Sequence, residues 1–203
     1  MKKVSLLIKG FDGKMREGKF DIKQANKLDN PGRIEELKPL ELLRNVAGVA
    51  NGMTCIDFGS GTGTFSLPLA ALVGDEGIVY ALDNSAEMLE RIKAKSPPPN
   101  IELRHSNVER TGLNDEIADI CLLAFILHEV KKPGNLLTEA YRLLKPEGRI
   151  VIVEWEASLE SPGPPRRIRI SQEQIEELLE HVGLAMTNYI KWTDNHYVAI
   201  GKK

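Results

Sequence analysis

The stretch Cys55-Ile56-Asp57-Phe58-Gly59-Ser60-Gly61-Thr62-Gly63 is an apolar run that ends in an acid and passes into three alternating glycines. Such a run predicts a buried strand turning sharply into a helix, with backbone bare enough for a small ligand to lie directly against it. The spacing then sorts the ligands. A dinucleotide turn is G-x-G-x-x-G, whose last small residue lets helix pack on strand, and counting from Gly59 puts Thr64 there. A triphosphate loop needs G-x-x-x-x-G-K followed by Ser or Thr, and no lysine follows these glycines. What remains is G-x-G-x-G behind an acid.

About twenty-four residues beyond Gly59, a second apolar run, Ile78-Val79-Tyr80-Ala81-Leu82, ends at Asp83. An acid at the tip of the neighbouring strand, roughly 20 residues past the glycines, is where an adenosine ribose offers its hydroxyls to a carboxylate. Asp83-Asn84-Ser85 also looks like the cap of the following helix. Ser85 is the better cap, which leaves Asp83 for the ligand.

Working outward, apolar runs at 54–57, 78–82, 101–104, 118–125 and 149–154 alternate with segments of helical period. That alternation predicts an α/β chain with a parallel sheet and helices on both faces. Pro133 opens a helix with apolar positions Leu136, Leu137, Ala140, Leu143 and Leu144, stopped by Lys145-Pro146-Glu147-Gly148. Ser171 and Gln174 have capping-box spacing ahead of Ile175, Leu178, Leu179 and Val182, and Gly183 ends that helix. Pro68 suits the first turn of the helix after the glycines. Asn30-Pro31 and Lys38-Pro39 are helix starts in a charged leading segment, and Ser161-Pro162-Gly163-Pro164-Pro165-Arg166-Arg167 is a loop. Two last runs, 185–191 and 196–202, read as a strand pair around Trp192-Thr193-Asp194-Asn195.

The 203 residues, 42% hydrophobic with net charge −2, fit one globular domain with a sizeable core and no basic excess to hold a nucleic acid. Met1-Lys2-Lys3 followed by Val4 to Ile8 imitates a signal peptide, but its apolar run is shorter than the roughly 7–15 residues such a leader needs. The longest apolar run, Ile120 to Leu127, is far below the ~20 residues of a membrane span. Cys55 and Cys121 both fall in strand-like runs and read as small core residues, and no C-x-x-C or H-E-x-x-H spacing offers a metal site. The expectation is a cytoplasmic protein without a membrane span.

The pattern Asp57 to Phe65, with Asp83, Ser106-Asn107-Val108-Glu109, Leu127-His128-Glu129-Val130 and Leu144-Lys145-Pro146-Glu147-Gly148-Arg149, resembles the class I S-adenosylmethionine-dependent methyltransferases. Within them it is most similar to the ubiquinone/menaquinone-biosynthesis type (methyltransferase type 11-like). The resemblance implies a Rossmann-like doubly wound sheet of seven strands, the last antiparallel. It implies a methyltransferase domain at 51–203, and the charged leading residues with their two helix starts are expected to form an N-terminal helical cap segment at 1–50. S-adenosylmethionine is the implied cofactor. Asp57 and the Gly59 backbone would hold its methionine end, Asp83 its ribose and Asn107 its adenine amino group, with Val108 against the ring. Ser60, Gly61, Gly63, Asn84 and Ala124 complete the implied cofactor set. The family usually has aspartate where this chain has Asn107, whose carbonyl accepts an N–H without charge assistance.

Specialised branches lack their marks here. The Asn/Asp-Pro-Pro-aromatic motif of amino-methylating nucleic-acid enzymes is replaced by Ala124-Phe125-Ile126-Leu127, arsenite chemistry would need several exposed cysteines, and metal-dependent catechol methylation would need clustered acids where only Glu129 stands. The resemblance implies a small-molecule methyl acceptor. Methyl transfer from a sulfonium is an in-line displacement driven mostly by proximity in a dry pocket, with a base only if the nucleophile must lose a proton. His128 and Glu129 are the candidate catalytic residues, His128 first because its ordinary pKa suits a base. Glu154, Trp155 and Glu156 end the next strand. Arg166, Arg167 and Arg169 could meet an anionic acceptor or be a solvated run. Two other classes stay open: a regulatory protein that binds S-adenosylmethionine without turnover and, disfavoured by Thr64, a nicotinamide-dependent oxidoreductase.

Overall fold

The computed structural model describes residues 22–158 and 163–203. The leader-like start, the first part of the cap segment and Ser161-Pro162 lie outside the described residues.

Seven strands form one sheet: β1 (Thr54–Phe58), β2 (Ile78–Asp83), β3 (Ile101–His105), β4 (Ala118–Ala124), β5 (Leu144–Trp155), β6 (Ala185–Lys191) and β7 (His196–Lys202). Their order is β3-β2-β1-β4-β5-β7-β6. The four pairings among β1 to β5 are parallel, and β7 runs antiparallel to both neighbours because the turn at Trp192 to Asn195 folds it back between β5 and β6. The chain reverses its direction of travel across the sheet between β1 and β4, which opens a crevice at their carboxyl ends.

β4 shows why an unbroken apolar run becomes a central strand. Ile120 and Leu122 pack on one face with Leu69, Val73 and Val198; Cys121 and Leu123 pack on the other with Leu137, Ala140 and Leu178. Period two sends alternate side chains to opposite layers, so both faces must be apolar. Fully burying each such Leu or Ile contributes roughly 1.5–3 kcal/mol. Both cysteines are buried in these layers.

The helices are α1 (Pro31–Leu37), the single turn α2 (Pro39–Glu41), α3 (Ser66–Val73), α4 (Ala86–Ala94), α5 (Pro133–Leu143) and α6 (Gln172–His181). Their punctuation is as expected from sequence. The Asn30 side chain accepts from Gly32 N at 2.9 Å, Ser85 caps α4 through Met88 N, and Ser171 and Gln174 form a reciprocal capping box. α6 turns its Ile175, Leu178 and Leu179 inward.

Two features differ from expectation. β5 begins directly after α5, because Lys145 to Gly148 is drawn into the strand as a bulge, with a register shift between Ala118 and Ile120 of β4, and Glu147 takes the left-handed turn there with φ 66°. The Pro-rich loop is capped by a 3-10 turn at Arg166–Ile168, whose Ile168 is buried. Residues 37–49 belong to the core: Leu37, Leu42, Leu43, Ala47 and Val49 share one cluster with Phe65 and Leu69. Among the described residues no helix is long and apolar enough to cross a membrane.

Candidate functional site

The glycine turn leaves β1 at the crevice. Gly59 N and Ser60 N both donate to Leu82 O, at 2.8 and 2.9 Å, and Gly61 N donates to Asp83 Oδ2 at 2.8 Å. These amides tie the turn to the tip of β2, so what it presents outward is carbonyl oxygen and bare Cα. Gly59 has φ 70° and a Cβ there would overlap the Ile126 side chain; Gly61 has φ 52° with Leu28 Cδ1 3.2 Å from where a Cβ would stand. Positive φ and close approach both demand glycine at these two places.

Asp83, 8% exposed, also accepts from Ser85 N at 2.8 Å. Burial pushes its carboxyl above the ordinary range, and the amide donors from Ser85 and Gly61 oppose that. The Asn84 amide adds to these donors, and a carboxylate with about four acceptor sites keeps capacity for a further one. Asn84 is exposed beside it, its carbonyl 3.0 Å from His105 Nε2. Asp57 sits behind the turn, 1% exposed, accepting from Ser66 Oγ at 2.6 Å, and burial raises its carboxyl to about 7.

Two hydroxyls lining this corner, Ser60 Oγ and Ser106 Oγ, are buried without a hydrogen-bond partner. Buried hydroxyls ordinarily find one, so both mark places where a polar ligand fits. Ser106 opens the segment after β3. In it Val108 is buried in the core, whereas Asn107 is exposed and its Oδ1 accepts from Glu109 N at 2.8 Å. That is the geometry of a turn residue, and an adenine contact from Asn107 would use the oxygen's second lone pair.

Across the crevice, the end of β4 is strained and aromatic. Ala124 is half-buried, and Phe125, with φ 60°, packs its ring against Phe65, Trp155 and His196. A bulky residue at positive φ costs about 1–3 kcal/mol and persists where the surroundings enforce it. Arg33 lies 5.1 Å over the Phe125 ring and Arg169 5.5 Å over Trp155. Arg169 is buried, its guanidinium donating to Pro164 O and Glu156 O, so it is not part of a solvated charge run. His196 is 4.3 Å from Trp155, and burial lowers its pKa to about 4, against the opposing carboxylate of Glu36.

His128, just past β4, is buried against Glu154 of β5: its Nδ1 lies 2.8 and 3.0 Å from the two carboxylate oxygens. Glu129 Oε1 stands 3.9 Å from His128 Nε2. The candidate base and the glycine turn are thus on adjoining strands, joined where Ile126 covers Gly59.

Sequence reading missed the contacts from the leading segment. Thr62 Oγ1 and Lys95 Nζ both bond Asp29 Oδ1 at 2.7 Å, Lys95 also bonds Thr62 O, and Thr64 Oγ1 reaches Leu28 O. Asp29 next to the Asn30-Pro31 start was the available signal, but nothing local tells an acid which loop it will meet.

A family model described as a methyltransferase domain matches residues 56–152. The ubiquinone/menaquinone biosynthesis C-methyltransferase of Haemophilus ducreyi is 24% identical over 70% of this chain and 68% of its own length. That of Erwinia tasmaniensis is 31% identical over 54% of this chain and 45% of its own, so the chain spans about half of that relative's length. A crystal structure of a SAM-dependent methyltransferase from Aquifex aeolicus superposes with TM-score 0.85 at 29% identity, covering 91% of this chain and 99% of that one. The chain belongs to the class I S-adenosylmethionine-dependent methyltransferases. Its cofactor is S-adenosylmethionine, and the bare turn, the buried acid and the two unpartnered hydroxyls of this methyltransferase fit that group.

Proposed function

We propose that this methyltransferase acts on a small-molecule acceptor held at the carboxyl ends of β4 and β5. The observation that carries the reading is the buried His128 and Glu154 pair, one strand away from the glycine turn at the point where strand order reverses. When bound, S-adenosylmethionine supplies a methyl group already activated on a sulfonium. Asp83 would accept the ribose hydroxyls, and the carbonyl side of the turn at Gly59, with Ser60, Gly61, Gly63, Asp57 and Asn84 around it, would receive the methionine end. Ser106 and Val108 would border the adenine, with Asn107 as a secondary contact, and Ala124 would close the floor. His128 would take a proton from the acceptor, with Glu129 beside it. Most of the rate enhancement comes from holding the acceptor at near-attack distance in a site without water.

The segment 22–50, as the described part of the cap, and residues 163–169 would cover this site. Leu28 lies on Gly61, Asp29 is bonded to both Thr62 and Lys95, and Arg33 and Arg169 bring each covering segment onto an aromatic ring of the floor. The two unpaired buried cysteines go with a reducing, cytoplasmic setting.

Incubating the full chain with S-adenosylmethionine and fractionated metabolite extract, and measuring S-adenosylhomocysteine released, tests the proposal. Release that depends on a low-molecular-mass fraction supports it. Tight cofactor binding with no release from any fraction would instead support a regulatory protein without turnover.

A further inference from the structure

We infer that Glu154 is a positioning residue that fixes the tautomer of His128, so that Nε2 is the nitrogen that receives the acceptor's proton. The inference rests on the proposed role of His128 as base and deepens it. Glu154 is fully buried, and its two oxygens are met by N–H donors: His128 N on Oε1 and Trp155 N on Oε2, both at 3.3 Å. A carboxylate engaged on each oxygen by a backbone N–H acts as an acceptor toward its remaining neighbour, the His128 ring, whose Nδ1 is 2.8 Å from Oε2. The proton of the neutral ring then belongs on Nδ1, and the lone pair on Nε2.

That arrangement also prepares the ring for its charge. When an acceptor O–H or C–H gives its proton to Nε2, the electron pair of that bond stays on the acceptor, which becomes the nucleophile. The imidazolium then lies between Glu154 at 2.8 Å and Glu129 at 3.9 Å, and Nδ1–H remains bonded to Glu154 throughout. Among the described residues, two further titratable neighbours of Glu154 and Trp155 belong to β7. Tyr197, paired with Glu154 across the strands, donates its hydroxyl to Ile170 O, and His196 is bonded to Thr193, so neither competes for the His128 ring through those contacts. The three spatial roles resemble a general arrangement of base, orienting carboxylate and reacting group, here assembled from residues 26 positions apart.

The test uses full-length protein labelled with nitrogen-15 at histidine, with long-range proton–nitrogen correlation spectra recorded above the titration range of the ring. The His128 signals are identified by their loss in His128→Asn, with His105, His181 and His196 as internal references. The expected result is a neutral His128 ring protonated on Nδ1, and in Glu154→Leu a shift toward the Nε2-protonated form. Wild-type protein with the neutral ring protonated on Nε2 overturns the inference, as does a folded Glu154→Leu variant that retains the Nδ1 form. If the leucine variant fails to fold, the wild-type spectrum decides alone. Turnover unaffected by His128→Ala would remove the base from the functional reading while leaving the tautomer assignment standing, so the two failures are distinguishable.

Discussion

On the β1 to β3 side of the crevice, the groups offered to a ligand come mainly from one stretch, residues 57–85, with Ser106 beside it, and the glycine turn at its centre is bare backbone. On the β4 and β5 side they are side chains from separated places: Phe125, His128, Glu154, Trp155 and His196, with Arg33 and Arg169 above. A site made of backbone is specified by spacing, because only glycine allows the turn and only an acid at the next strand tip can meet it. A site made of convergent side chains is specified by strand order and register. The first can be shared widely among methyltransferases, and the second can be changed residue by residue to suit a different acceptor.

The largest expected effect breaks the backbone side. Gly61→Val places a β-branched side chain at φ 52°, against Leu28, and should reduce S-adenosylmethionine binding below calorimetric detection while far-UV circular dichroism keeps its shape. Normal binding by this variant would make the turn an ordinary connection. Next in size, His128→Ala should lower turnover by roughly 10²–10⁴ with cofactor affinity nearly unchanged, measured as kcat and Kd on one preparation. A fall in melting temperature with intact turnover would make His128 structural instead.

Asp83→Ala should weaken cofactor binding about ten-fold or more, since hydrogen bonds to a charged group contribute about 1.5–3 kcal/mol each. The last effect is on stability alone. The Asp57 carboxyl is raised to about 7 by burial, above the roughly 4 of an unfolded chain, so the folded state holds the extra proton between those values. Its contribution is present at low pH and is lost as pH rises through 7. Asp57→Asn keeps an acceptor for Ser66 Oγ and removes that loss. Its melting temperature relative to wild type should therefore rise from pH 5 to pH 8, and a difference that stayed flat would contradict the buried-acid assignment.

The same contrast explains what the sequence made legible. The runs at 185–191 and 196–202 became β6 and β7 with unchanged bounds, and the caps at Asn30, Ser85 and Ser171 were readable because capping is a contact between near neighbours. The count of seven strands and the antiparallel last strand came from family resemblance, since periodicity alone shows neither, and the strand order came only from the structure. The start of β5 was misread because Lys145-Pro146-Glu147-Gly148 has the composition of a turn. Glu147 does turn, but within a bulged strand. Glu154 was visible as a strand-end acid, yet its pairing with His128 depends on β4 lying beside β5. His196 gave no local signal, and Asp29 none beyond its place beside the Asn30-Pro31 start. One is defined by the aromatic rings packed on it and the other by a loop more than thirty residues away.

The account's central claim is that cofactor holding and acceptor chemistry are separate halves of one crevice. Titrating S-adenosylmethionine into wild type, Asp83→Ala and His128→Ala in parallel by calorimetry tests it most directly. The account predicts one-to-one binding by wild type, an essentially equal affinity in His128→Ala, and a loss of about ten-fold or more in Asp83→Ala. Equal losses in both variants, or no loss in Asp83→Ala, would contradict it.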